Sequence, residues 1–264
     1  MAVQLLQWTA ALYLSAGLVA GLGLALETRR LERASVALLA LGAVLHGISF
    51  SMLHDLDPAP PVTDLTAAIL FMAWVGTLSY LVLLSRTRLE RMMVLVAPAA
   101  FLGAFLAALR LPTAAPAPMS SMGSWPHAHV LLASAGLSLL GLASLAGAMF
   151  LVEYGRLKKK RPIDLRMPLP SLEALDQVNS VALSFGFPLL TLGVLTGMMW
   201  LKTAFGTVWT GSAHETWCVF AWAVYGVLVC ARFLGNQGSR QAAASAVAGF
   251  AFLFFAVIGM ELIV

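Results

Sequence analysis

Long uncharged apolar segments recur along this chain, and its cations are confined almost entirely to the short stretches between them. The segments Leu5 to Leu26, Ser35 to Leu53, Leu65 to Leu84 and Met92 to Leu109 are each close to the length that crosses a bilayer's hydrocarbon layer. A fifth runs from Trp125 to Val152, two more lie within Phe185 to Tyr225, and an eighth runs from Ala242 to Ile263. In hydrocarbon every backbone N–H and C=O must find its partner within the protein, so such segments become helices. At 60% hydrophobic and 11% charged, the sequence also lacks the polar surface of a water-soluble domain. It is expected to be an all-α integral membrane protein, a single bundle of about eight transmembrane helices forming one polytopic membrane domain over residues 1–264.

Charge placement predicts the topology. No Lys or Arg precedes the first span and Arg29, Arg30 and Arg33 follow it, the reverse of a signal peptide, so the span is expected to be retained with the N-terminus outside. Arg86, Arg88 and Arg91, then Arg156 to Arg166, then Arg232 and Arg240 fall at every second turn, and only Arg110 and Lys202 lie on the other side. Both termini should then face outward, in a bacterial cytoplasmic (inner) membrane crossed many times. The acidic, proline-rich segment His54 to Asp64 should face out, and Glu153 to Asn179 should form the longest cytoplasmic loop, against anionic lipid or an acidic partner. The net charge of +4 is accounted for by these orientation signals and calls for no nucleic acid. Cys218 and Cys230 stand about 18 Å apart along one helix, too far to pair, and no CxxCH is present for covalent haem attachment.

Function rests on a few polar groups. His46 sits mid-span, where an imidazole is costly unless it is paired, lines a cavity or binds a ligand. It is either hydrogen-bonded to a neighbouring helix or set for haem or proton chemistry. His129 lies just inside the outer end of the fifth span, after Pro126, and is either an interfacial histidine facing water or a ligand; His127 points about 200° away from it. Trp200, Trp209, Trp217 and Trp222 cluster around the link from Leu201 to Glu215, more than interfacial anchoring requires, and suggest an aromatic surface for a flat ligand. Gly193 and Gly197 form a small-xxx-small pattern for close helix packing.

The run Gly186-Phe-Pro-Leu-Leu-Thr-Leu-Gly-Val-Leu-Thr-Gly-Met-Met-Trp200, followed by Phe205-Gly206, Trp209 and Glu215-Thr216-Trp217, resembles the tryptophan-rich region of the cytochrome c assembly family, which includes CcsA, CcmC and HemX-type membrane proteins. The resemblance centres on residues 185–225 and extends more weakly from about Leu38 to the C-terminus. It implies haem b as cofactor, with His129 matching an outer axial ligand and His46 an intramembrane histidine. The chain departs from the family pattern in three places. Gly211-Ser-Ala-His214-Glu215-Thr216-Trp217 stands where Trp-Asp-Pro-Lys-Glu-Thr-Trp is expected, Cys230 replaces an intramembrane histidine, and Gly259-Met260-Glu261 replaces an outer one. His214 is then the candidate partner of His129, on a helical face with Trp217, Ala221 and Tyr225, or it merely caps the seventh span beside Glu215. Cys230 with His46 is the candidate inner iron site, although a buried cysteine is more often packing.

Three functions follow from these residues. The first is a cytochrome c assembly component that presents haem at the outer surface to an apocytochrome c or a partner membrane subunit, at most as the haem-lyase component of a synthetase. The second is a HemX-type regulator acting on glutamyl-tRNA reductase through the basic loop. The third is a small-molecule or haem transporter, which lacks a mid-bilayer helix break other than Pro188. No phosphate loop, metalloprotease motif or serine triad is present.

Overall fold

A computed structural model describes residues 2–54, 65–87, 89–110, 124–159 and 170–256. Eight α-helices form among them: α1 (Ala2–Leu26), α2 (Arg29–His54), α3 (Leu65–Arg86), α4 (Met93–Arg110, entered through the 3₁₀ turn Glu90–Met92), α5 (Trp125–Lys158), α6 (Leu172–Phe205), α7 (Ala213–Phe233) and α8 (Ser239–Phe254). Helices α1 to α7 are long and apolar enough to cross a membrane, and the chain is a multi-pass membrane protein. The eighth expected span is helical as far as residue 256, and its remainder lies outside the described residues. So do the acidic segment from residue 55 to 64, the cations Arg88, Lys160, Arg161 and Arg166, and the triplet Gly259-Met260-Glu261.

Many side-chain hydroxyls follow the rule that polar groups are paired in an apolar medium, although the buried Tyr225 hydroxyl meets no partner among the described residues. Thr9, Thr77, Ser184, Thr191 and Thr196 each donate to the carbonyl one turn earlier in their own helix. Basic turns come together at one end of the bundle. Arg91 pairs with Glu32 at 3.6 Å, Arg232 with Asp176 at 2.8 Å, and Arg240 lies over the Tyr154 ring at 5.5 Å. These contacts join α4 to α2, α7 to α6 and α8 to α5, as strict up-down alternation requires.

Two sub-bundles share the core. Helices α1, α2 and α4 pack with α3 around Tyr13, Tyr80, Met92 and Met93, whereas α5, α6, α7 and α8 pack around Leu140, Tyr225 and Leu253. The α5–α6 pair is the tightest in the molecule. A Cβ on Gly136 would lie 2.5 Å from the Leu190 backbone nitrogen, and one on Gly193 would lie 2.8 Å from the Ala133 Cα, so only glycine permits this approach. Asn179 reinforces it by donating from Nδ2 to the Ala143 carbonyl at 2.8 Å.

The loop expected from Glu153 to Asn179 is shorter than its charges imply. Helix α5 continues to Lys158, and α6 starts at Leu172, with the Ser171 hydroxyl accepting from the Ala174 N–H. Each of the two helices has 34 residues, about 50 Å, well beyond the ~30 Å hydrocarbon layer. Charge ends a membrane span, but it does not end a helix.

Candidate functional site

The end of the bundle opposite the basic turns gathers the first turns of α5, the last turns of α6 and the start of α7. Pro126 occupies the first turn of α5, where its missing N–H leaves no bond unmade. His127 is exposed, and His129, half-buried, turns toward α6. Its Nδ1 lies 2.8 Å from the Gly193 carbonyl. A carbonyl can only accept, so Nδ1 carries the proton and Nε2 keeps its lone pair. That carbonyl also accepts from the Thr196 hydroxyl at 2.9 Å.

Gly197 makes room for the ring. A Cβ there would sit 2.8 Å from His129 Nδ1 and 3.0 Å from Cε1, so the imidazole rests directly on the α6 backbone. Less than one turn farther, Trp200 faces it, with ring centroids 6.1 Å apart and planes inclined by 38°. The Trp200 indole N–H is buried and meets no acceptor among the described residues. Gly193, Gly197 and Trp200 follow the i, i+4, i+7 spacing of one helical face, a signal the sequence carries but helix packing alone would also explain.

Helix α6 stops where Gly206 adopts φ +75°, and the link turns back through Gly211 at φ +80°. Ser212, not His214, caps α7, accepting from the Glu215 N–H at 3.2 Å. The Glu215 carboxylate in turn accepts from the Thr210 N–H at 2.8 Å and from the Thr210 hydroxyl, clasping the link to the helix it precedes. His214 is thereby held in the first turn of α7. Its Nε2 lies 3.4 Å from Cys218 Sγ, one turn along.

His129 and Trp200 are thus brought to one place, while His214 stands at the start of α7 and Trp209 on the exposed link before it. Trp217 is turned away, meeting Phe220 and the Phe252 ring of α8 edge-on. Trp222 is structural, donating to the Thr191 hydroxyl at 3.0 Å and stacking on Phe187. The face drawn from His214 through Tyr225 is split, because Ala221 and Tyr225 are buried while Trp217 is not.

His46 is elsewhere. It is fully buried in α2, with Nδ1 3.1 Å from the Tyr13 hydroxyl of α1, a partner the sequence did not reveal. Cys230 is exposed on α7, so the two residues are not brought together. Among the described residues no three His, Cys, Asp or Glu side chains cluster as a metal site would need.

Residues 62–264 match the cytochrome C assembly protein family. The chain belongs to that family. It is 27% identical over 220 residues to the cytochrome c biogenesis protein CcsA of Guillardia theta, an alignment covering 76% of this chain and 73% of that protein. With CcsA of Chlamydomonas reinhardtii it shares 30% over 211 residues, covering 77% and 58% of the two chains. With CcsA of Gloeothece citriformis it shares 26% over 252 residues, covering 77% and 76%. His129, Trp200 and His214 all fall within the part that matches the cytochrome c assembly family, and His46 precedes it.

That family handles haem, and the two candidate sites of this chain fit it differently. At the α5–α6–α7 end an imidazole with a free Nε2 lone pair, an unpaired indole N–H and an adjacent aromatic ring suit an iron-centred macrocycle. At His46 the side chain is fully buried, with Nδ1 against the Tyr13 hydroxyl.

Proposed function

We propose that this protein acts in cytochrome c biogenesis by holding haem b at the α5–α6–α7 end of the bundle and offering it to an apocytochrome c or a partner membrane subunit. The observation that carries the reading is the fixed His129: its Nδ1–H is committed to Gly193, and its Nε2 is left with a lone pair beside Trp200. His129 would hold the haem iron through Nε2, and His214, carried on a different helix with its Nε2 3.4 Å from Cys218 Sγ, would be a second ligand.

Haem, when bound, supplies the porphyrin and iron that an apocytochrome accepts. The chain's own residues grip and orient. Gly193 and Gly197 seat the imidazole, Trp200 offers a flat apolar face and an N–H donor, and the Thr210–Glu215 clasp fixes where His214 stands. Trp209, exposed on the link, is the surface presented to the acceptor. The basic end of the bundle faces the cytoplasm, which puts the site on the outer side of the membrane.

The test is the absorption spectrum of the full chain purified in detergent from haem-replete cells. A Soret band with sharp reduced α and β bands is expected, lost in His129→Ala and kept in His127→Ala. A haem-free protein that takes up no added haem, or a His129→Ala spectrum identical to wild type, overturns the reading.

A further inference from the structure

A cavity of about 600 Å³ opens between α3, α4, α5 and α8, away from the haem-site residues. A void of this size lies within the range of ~300–1,000 Å³ that natural ligands occupy. Small residues line it, Ala73 and Gly76 of α3 and Ala99 of α4 among them, while Gly103 and Gly141 bring α4 and α5 close against Ala73 and Phe250 at its edge. Phe250 and Phe254 of α8 close one side.

Its length and its apolar lining point to its occupant. Along α3 the wall runs from Thr66 to Thr77 and along α4 from Val96 to Ala107, about 16 Å in each, which on α4 is most of the helix. That length is close to half the ~30 Å hydrocarbon thickness, the reach of one extended acyl chain. Two of its hydroxyls are already engaged, Ser138 donating to Met72 and Ser134 carbonyls and Thr77 to Ala73, so they need no polar ligand. Its rim carries Leu102, Leu106 and Phe254, all exposed, which makes the cavity continuous with the lipid-facing surface of the bundle. Water does not fill such an apolar recess, and hydrocarbon does.

We propose that this cavity is a seat for one acyl chain of a phospholipid. The chain fills the seam between the two sub-bundles. Helices α4 and α5 barely touch, and the two halves are joined mainly where α3 meets α5. An inserted tail completes that junction and supports α5, the helix that carries His129.

Native mass spectrometry of the full-length protein, washed exhaustively in detergent, tests this. Wild type should retain one phospholipid per chain and regain it when dioleoyl phosphatidylglycerol is added back. Ala99→Phe fills the recess from α4 and Ser144→Leu fills it from α5; retention should fall about tenfold or more in each. Helical circular dichroism identifies a variant that has failed to fold, and the other then decides. A wild-type chain that holds no phospholipid, one that holds an isoprenoid quinone instead, or undiminished retention in a folded variant overturns the proposal.

Discussion

Gly197→Ala separates the stability of α6 from the geometry of the proposed haem site. The new methyl would lie 2.8 Å from His129 Nδ1, whereas ordinary contact needs roughly 3.5 Å. The ring must therefore retreat by about 0.7 Å, which stretches its 2.8 Å bond to Gly193 past the hydrogen-bond limit of about 3.2 Å. Losing that bond costs about 0.5–1.5 kcal/mol, while exchanging glycine for alanine inside a helix returns about 1 kcal/mol. The two nearly cancel, and thermal stability should hardly move. Haem affinity should fall about tenfold, because the bond that fixes the ligand's tautomer and orientation is gone. The assay is a haem titration followed at the Soret band, run beside a thermal melt in the same detergent. Gly155→Ala is the control: it is helical, its Cβ meets nothing within 4 Å, and it should leave haem binding unchanged. Wild-type haem affinity in Gly197→Ala would refute the seat, and a melt that collapses together with affinity would reduce it to general damage.

Other substitutions probe the scaffold. Arg232→Ala removes hydrogen bonds to Asp176 and Ser180 from a largely buried guanidinium and should cost about 1–3 kcal/mol, read as a lower melting temperature. His46→Leu deprives the buried Tyr13 hydroxyl of its histidine and should cost ~0.6–1.7 kcal/mol without changing the haem spectrum. Adding Tyr13→Phe should recover most of that loss in the melt.

Hydropathy and the placement of arginines were enough to read eight helices and their alternation, because each span must satisfy its own backbone and each basic turn gathers at one end. Charges such as Arg156 and Lys158 misled the reading of the loop, since they leave the membrane but prolong the helix. At the site, His129 and Trp200 were legible as residues, but their contact with each other was not. Helical spacing says which side chains share a face, whereas which helix that face meets depends on packing between residues far apart in sequence. For that reason Tyr13 as partner of His46, the separation of His46 from Cys230 and the role of Gly197 were hidden. Gly197 in particular sits in a motif that ordinary helix packing also produces.

Helices α5 and α6, locked backbone to backbone through Gly136 and Gly193, behave as a single strut longer than the membrane is thick. A force applied where the strut projects on the basic side turns it as a rigid body. His129 and Trp200 ride on the strut together, so their spacing survives such a tilt. His214 rides on α7, which touches α6 only lightly. The spacing of His129 and Trp200 is therefore set by the α5–α6 lock, whereas the place of His214 depends on how α7 sits against the pair.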